Sequence, residues 1–261
     1  MRRKDLIGIF NLIIVAGVLG AISYAALTLR PAEYDPDTLC LVGEEAPHTV
    51  VVIDKTDLYT PGQASRIESL VLEARNGLMI GERLSLFELD ERGDLRNTNR
   101  FSLCNPGRGE QINPLYRNPA RVEARYQALF EGPLQNALAD LVEPKNAPQS
   151  PIIEALADLA NEDTFDPDTP GRYAVLVSDM LQNSDLFSVY GAARNAPNRL
   201  PPPRRVANEI RAQYGDALDG VRVRVHLIPR RGWEAAQRGP IVDYWSELFR
   251  ELGVRASFTE L

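Results

Sequence analysis

The chain has 261 residues, of which 29 are basic and 36 acidic, giving a formal net charge of −7. Its 44% of hydrophobic and 25% of charged residues are ordinary globular proportions, which exclude a disordered or fibrous protein. Residues 1–29 carry a local charge of +2, so residues 30–261 carry −9 and repel phosphate backbones. Nucleic acid is therefore excluded as an expected partner. The presence of only two histidines likewise excludes a histidine-rich metal site.

The first predicted element is a transmembrane helix over residues 6–29, which are uncharged and mostly apolar. At about 1.5 Å per residue this stretch spans roughly 36 Å, enough for the hydrocarbon core of a bilayer. Three basic residues at positions 2–4 precede the span, and acidic residues follow it. The positive-inside bias therefore predicts a single-pass protein with residues 1–5 in the cytoplasm and residues 30–261 exported. In a bacterium this means an inner-membrane protein with a periplasmic domain.

A cleaved signal peptide is the alternative interpretation, with Ser23-Tyr24-Ala25 as the small-residue cleavage site. The apolar region of a signal peptide is about 7–15 residues long, and the stretch here is longer. The length therefore favours an uncleaved signal-anchor.

The two cysteines, Cys40 and Cys104, both lie on the exported side of the predicted span. In an oxidising compartment they can pair and tie the segment after the membrane to the domain. We expect this disulfide, and two unpaired thiols are the alternative.

Strands and helices alternate along the exported part. Residues 30–46 are predicted as a linker, and His48–Asp54 is a continuous apolar, β-branched run typical of a strand buried on both faces. Thr60, Pro61 and Gln63 form a capping signal that begins the next helix. The further predicted strands are residues 82–89, 100–103, 172–179, 221–228 and 255–258, and the further helices are residues 122–141 with a bend at Pro133, 152–159, 205–213 and 242–252. The alternation predicts an α/β domain over residues 47–261, with a doubly wound, mostly parallel sheet and helices on both faces.

Three polar clusters fall where ligands bind in open α/β sheets, beyond the carboxyl ends of the strands. Asp54-Lys55-Thr56-Asp57 follows the first strand, Ser150 lies in a loop entering a helix, and Ser178-Asp179 ends a later strand. Their carboxylate and hydroxyl oxygens are the hard ligands that Mg²⁺ or Mn²⁺ prefers.

These clusters resemble the von Willebrand factor type A domain family with its metal-ion-dependent adhesion site. That family carries Asp-x-Ser-x-Ser after its first strand, a Thr from a later loop, and an Asp at the end of its fourth strand. The matching positions here are Asp54, Thr56, Ser150 and Asp179. Leu58 departs from the pattern because it stands where the third position expects Ser. The resemblance covers residues 47–258 and implies an adhesion-type module that binds a protein partner through a divalent cation.

Each of these residues also has a purely structural interpretation. Asp54 and Thr56 can cap backbone groups at a turn, and Asp179 can do the same after its strand. Ser150 before Pro151 is a common N-cap signal for the following helix. Asp57 is an alternative source of a carboxylate for a cation. The basic pairs, Arg204-Arg205 and Arg230-Arg231, are interpreted as solvated surface.

The leading hypothesis is a membrane-anchored protein-interaction module that uses the Asp54, Thr56, Ser150 and Asp179 edge. An enzyme is the first alternative: a phosphatase resembling the haloacid dehalogenase family, with Asp54 as nucleophile and Ser178 ending a later strand. That family needs a later acidic pair, for which only Asp216 or Asp219 is available. The second alternative is a metal-free structural component of an envelope assembly.

Overall fold

The computed structural model describes residues 3–28, 33–56, 58–89, 95–115, 117–141, 149–190 and 199–261. The chain divides into two compact units, Met1–Tyr34 and Asp35–Leu261. In the first unit, helix α1 (Arg3–Thr28) contains the stretch Gly8–Ala25, whose mean hydropathy of 2.0 and length suit a membrane span. This helix supports a membrane anchor, as the sequence predicts.

The second unit is built on one six-stranded sheet in the order β3-β2-β1-β4-β5-β6. All neighbouring strands are parallel except β2 and β3, which are antiparallel. The strands are β1 (His48–Asp54), β2 (Arg83–Leu89), β3 (Leu95–Cys104), β4 (Arg172–Ser178), β5 (Arg222–Leu227) and β6 (Arg255–Glu260). The helices are α2 (Pro61–Gly77), α3 (Pro119–Tyr126), α4 (Gly132–Leu141), α5 (Ile152–Leu159), α6 (Pro203–Tyr214), α7 (Glu234–Gln237) and α8 (Pro240–Glu251). The predicted α/β class and mostly parallel sheet are confirmed.

Two hydrophobic cores lie on opposite faces of the sheet, because side chains alternate along each strand. In β1, Val50 and Val52 belong to the core formed with α5, α6 and α8. Val51 and Ile53 belong to the core formed with α2 and α4. This double burial explains why β1 is an unbroken apolar run rather than an alternating one.

Residues 35–46, which the sequence assigns to the linker, are joined to the domain in the structure. The predicted disulfide between Cys40 and Cys104 is confirmed, with the two Cα atoms 4.8 Å apart. Beside it, the Cys104 backbone N–H donates to the Thr38 carbonyl at 2.8 Å. The covalent bond therefore fastens the start of the domain to the end of β3, at the edge of the sheet where β1 begins.

The long helix predicted over residues 122–141 is confirmed and begins slightly earlier, at Pro119. A π-helical turn, Gln127–Glu131, lies within it, between α3 and α4. Pro133 follows this turn and has no N–H for the carbonyl four residues earlier, so the irregularity precedes the proline instead of lying at it.

Candidate functional site

The strand order has its switch point between β1 and β4, the place where ligands bind in doubly wound sheets. Asp54 ends β1, and Asp179 directly follows β4. Both side chains are only 3% exposed. The two predicted carboxylates therefore lie together at the carboxyl edge of the sheet, in surroundings that penalise unpaired charge.

Hydroxyl groups surround the Asp54 carboxylate. Thr56 donates to Oδ1 through its hydroxyl at 2.5 Å and through its backbone N–H at 3.1 Å. The hydroxyls of Ser150 and Ser178 donate to Oδ2 at 3.1 and 2.8 Å. These four donors explain how a carboxylate is accommodated in a buried position. Asp54 therefore also caps the turn after β1, as its structural interpretation predicts, by accepting the backbone N–H of Thr56.

The prediction that Ser150 is a helix N-cap is wrong. The cap position of α5 is Pro151, which has no side-chain capping bond. Ser150 instead forms a two-way backbone bridge with Asn183, at 2.9 Å in both directions, and points its hydroxyl at Asp54. Tertiary pairing between the two loops overrides the local capping signal, and it brings Ser150 into the site.

Asp179 is paired with Arg230, and the interpretation of Arg230 as solvated surface is wrong. Arg230 Nε donates to Asp179 Oδ2 at 2.8 Å, and the Arg230 side chain is 17% exposed. Burial and the neighbouring Asp54 carboxylate raise the pKa of Asp179, while the guanidinium opposes that rise. Asp179 Oδ1 also accepts the Leu181 backbone N–H at 2.9 Å, as its capping interpretation predicts.

Arg230 also connects the loop after β1 to the end of β4. Its Nη1 donates to the backbone carbonyl of Leu58, the position where the adhesion-type motif expects a serine hydroxyl. The loop after β1 therefore contributes a carbonyl to an arginine where the motif would contribute a hydroxyl to a metal. A single guanidinium links this loop to the end of β4.

Two residues that sequence reasoning missed hold the loop around Asp179. Gln237 Nε2 donates to the carbonyls of Asp179 and Ile228 at 2.8 and 3.0 Å, and its Oε1 accepts the Arg230 N–H at 2.9 Å. Trp245 Nε1 donates to the Met180 carbonyl at 2.9 Å. Both side chains are buried, so hydrogen bonds from α7 and α8 hold the backbone at Asp179 and Met180 in place.

A tyrosine hydroxyl beside the site is buried without a hydrogen bond. Tyr59 is 8% exposed, and its hydroxyl has no partner within the part of the chain that the structure describes. Burial, Asp54 and Glu88 raise the pKa of this phenol, so it stays a neutral donor. Asp57, the alternative carboxylate, lies outside the described residues.

The arrangement does not fit a stand-alone divalent cation. Asp54 is satisfied by four hydrogen bonds, and Asp179 is neutralised by Arg230. A divalent cation between them would meet the positive guanidinium at close range. Among the described residues, no three His, Cys, Asp or Glu side chains converge as a metal-binding group.

The acidic pair required by the phosphatase alternative is on the wrong edge of the sheet. Asp216 and Asp219 precede β5, whereas Asp54 ends its own strand. Asp219 accepts a hydrogen bond from Arg172, at the start of β4, through its backbone carbonyl. Because the strands are parallel, a whole strand length of roughly 20 Å separates the pair from Asp54.

Apolar and aromatic side chains are linked to Arg230 at this edge of the sheet. Leu58 is 61% exposed and Tyr190 is 39% exposed. The Tyr190 ring packs edge-on against Trp233 at 5.3 Å, and the backbone N–H of Trp233 donates to the Arg230 carbonyl at 2.9 Å. Leucine, arginine, tryptophan and tyrosine are thus connected at one edge of the domain.

No protein-family model matches the sequence, and no curated protein matches it. An aerotolerance-related membrane protein from Bacteroides fragilis NCTC 9343, with multiple mutations to serines, is similar at 13% identity and a TM-score of 0.36, over 83% of this chain and 92% of that one. The conserved hypothetical protein BatB from Bacteroides thetaiotaomicron is similar at 12% identity and a TM-score of 0.36, over 82% and 91% of the two chains. At this identity and TM-score, neither protein indicates the function of this chain.

Proposed function

We propose that this protein is a membrane-anchored interaction module with a type A-like domain, which binds a protein partner at the carboxyl edge of its sheet. The observation that carries the proposal is the Arg230 bridge between Asp179 and Leu58 at the topological switch point. It joins a buried charged network to an exposed apolar side chain, in the part of the fold where ligands bind.

The composition of this edge supports a protein ligand. Exposed Leu58 and Tyr190 flank the half-buried Arg230, and Trp233 supports Tyr190 from behind. Arginine, tyrosine and tryptophan are the residues that most often dominate the binding energy of protein interfaces.

The proposed edge works without a divalent cation, because Arg230 supplies the positive charge that balances Asp179. The Mg²⁺ or Mn²⁺ suggested by the type A resemblance remains an untested prediction. The two versions differ in a simple way. If Arg230 supplies the positive charge at the site, partner binding persists in the presence of a chelator. If a metal ion supplies it, the chelator abolishes binding.

The proposed topology places the partner outside the cytoplasm. The basic residues before α1 and the acidic ones after it favour an exported domain. The disulfide between Cys40 and Cys104 is consistent with an oxidising compartment, since such bonds are rare in the cytoplasm.

Site-specific photo-crosslinking in native membranes tests the proposal. A photoreactive amino acid replaces Leu58 at the carboxyl edge or, as a matched control, the equally exposed Met79 before β2. We expect a discrete adduct from position 58 only, unchanged by EDTA and lost on Tyr190→Ala. Equal adducts from both positions, or none from position 58, would refute an edge-specific partner. An adduct that disappears with EDTA would indicate that a divalent cation is needed for partner binding.

A further inference from the structure

Within the unit Asp35–Leu261, one half of a sheet face is not covered by any helix of the described residues. The face that packs on α2 and α4 over β1 and β2 continues across β4, β5 and β6, and there it is open. In β5, Val223 and Val225 are buried on the opposite face, whereas Arg222 and Arg224 are exposed on this one. Parallel sheets in α/β proteins are normally covered on both faces, so the exposure requires an explanation.

The open face carries three arginines in adjacent positions. Arg222 lies opposite Arg255 in the strand register, and Arg224 is two residues further along β5. All three are exposed, and within the described part of the chain none of them forms an ion pair. Like charges directly opposite each other on a sheet are destabilising, so this arrangement is unfavourable in the isolated domain.

Tyr173 holds one of these arginines in place. Its hydroxyl accepts from Arg222 Nη1 at 3.0 Å, and the guanidinium carbon lies 5.2 Å from the ring centroid. Tyr173 is itself 38% exposed on β4. An arginine ordered by an aromatic ring has lost much of its conformational freedom already, which lowers the entropy cost of binding.

The face forms a groove whose walls have different chemistry. The groove has a volume of about 610 Å³ and runs between α2 and the exposed strands. Arg222, Arg224 and Arg255 lie on its floor, and Glu73 and Glu82 line the side toward α2. From β4 to β6 the floor is roughly 10 Å wide, which is the diameter of one α-helix.

We propose that this groove, which we name the arginine face, binds an acidic amphipathic helix of a partner protein. The floor offers three guanidinium groups that have no carboxylate partner among the described residues, and the exposed Tyr173 and half-buried Val175 offer apolar contact beside them. The charge is opposite to that of the body of the domain, so only an acidic segment is attracted to this groove in particular. A concave groove with carboxylates on one wall suits a helix better than a flat anionic membrane.

The arginine face is distinct from the carboxyl edge of the proposed function. Arg222 and Arg255 begin β5 and β6, and Arg224 lies two residues into β5, whereas Asp54 ends β1 and Arg230 follows the end of β5. Either surface can therefore fail its test without affecting the other.

A binding titration with the full chain in phosphatidylcholine nanodiscs tests the proposal. The probe is a fluorescent sixteen-residue helical peptide with glutamate and leucine on one face, and its lysine counterpart is the control peptide. We expect the acidic peptide to bind, the lysine peptide not to bind, and Arg224→Glu or Arg255→Glu to weaken binding about tenfold each. Arg250→Glu on α8 changes the net charge equally on another surface and should leave binding within about twofold.

Four results would overturn the proposal. The first is equal binding by wild type and the two face variants, and the second is an equal loss in Arg250→Glu, which would reduce the effect to net charge. The third is loss of peptide binding when phosphatidylglycerol is added to the nanodiscs, which would assign the face to anionic lipid. Self-association of the chain that Arg224→Glu abolishes would assign it to a second copy instead.

Discussion

The two edges of the sheet are held together by different interactions. At the carboxyl edge, buried charges predominate: Asp179 with Arg230, and the buried Lys55 with Glu88 at 2.9 Å. At the amino edge, a disulfide joins Cys40 to Cys104, and the buried neutral ring of His48 bonds to its neighbours. The buried Arg172 guanidinium at this edge donates to the backbone carbonyls of Ala217 and Asp219, so the interactions of the amino edge do not depend on a buried pair of opposite charges.

The carboxyl edge is built from interactions that stabilise only as complete pairs. Burying an ion pair gains little net stability, because desolvation offsets the attraction, whereas removing one partner is strongly destabilising. Such networks often occur where a protein binds something. The contrast suggests that the amino edge serves folding and the carboxyl edge serves recognition, and it can be tested edge by edge.

The largest effect is expected for Arg230→Ala at the carboxyl edge. The substitution leaves Asp179 buried beside Asp54 without its counter-charge, which should reduce the free energy of unfolding by about 3–5 kcal/mol. Urea unfolding of the full chain measures it. Adding Asp179→Asn to Arg230→Ala should restore much of the loss, because the uncompensated charge is then gone. Arg238→Ala, at an exposed ion pair with Glu260, is the matched control and should change nothing measurable. An equal loss in both arginine variants would contradict the contrast.

Removing the disulfide should produce a loss of similar size at the amino edge. Cys40 and Cys104 are separated by 64 residues, and a closed loop of that length stabilises by up to about 4 kcal/mol in the chain-entropy model. Cys40→Ser with Cys104→Ser should therefore lower the urea midpoint. The crosslink from position 58 should persist at temperatures where the variant is folded. Loss of that crosslink in folded protein would show that the edges are not separable.

Acid should act on the amino edge through His48. Its Nδ1 donates to the Thr164 carbonyl at 2.6 Å, its Nε2 bonds to Ser85 Oγ at 2.7 Å, and burial lowers its pKa to about 4. The unfolded chain takes up a proton near pH 6.5 and the folded chain does not, so stability is lost as pH falls from about 6.5 toward 4.

Between pH 7 and pH 5 this amounts to about 2 kcal/mol. His48→Gln should remove that part of the pH dependence in urea unfolding measured across the range. His226→Gln, at a histidine that is less buried than His48, should remove a smaller part of the pH dependence. An unchanged acid response in His48→Gln would show that other groups are responsible.

The smallest effect is expected from added cation. Saturating Mg²⁺ or Mn²⁺ should leave the melting temperature of the wild type unchanged, because Arg230 already balances Asp179. In Arg230→Ala, the freed carboxylate should gain a response of about 1.4 kcal/mol at ten times the dissociation constant. Adding Asp179→Asn should abolish that response. A cation response in wild type that Asp179→Asn removes would favour the metal site that the type A resemblance implies.

The sequence predicts most of the elements because their signals are local. The apolar run of β1 is confirmed, and so is the capping box of α2, in which Gln63 N–H donates to Thr60 Oγ1 and Thr60 N–H donates to Gln63 Oε1. The strand before the disulfide is longer than predicted, Leu95–Cys104 instead of residues 100–103, because its polar stretch has no apolar period to recognise.

Arg230 could not be identified as a site residue from the sequence. Its partners Asp179 and Leu58 are 51 and 172 positions away, and an Arg-Arg pair in an acidic chain usually lies on solvated surface. Ser150 is ambiguous in the sequence for the same reason, because its cap signal is local and its hydrogen-bond partner, Asp54, is 96 positions away. Only the fold shows which of two compatible roles each side chain has.

The sequence by itself therefore determined the apolar helix, the α/β class and the position of Asp54 and Asp179 at the ends of strands, whereas the pairing of Cys40 with Cys104 was settled by the structure. Each follows from composition or from a period of two or 3.6 residues, which depends on neighbours along the chain. The tertiary structure decided that Arg230 neutralises Asp179, that Leu58 contributes a carbonyl, and that three arginines share one open sheet face. These depend on strand order and register, which bring distant residues within hydrogen-bond distance, and no local period encodes that proximity.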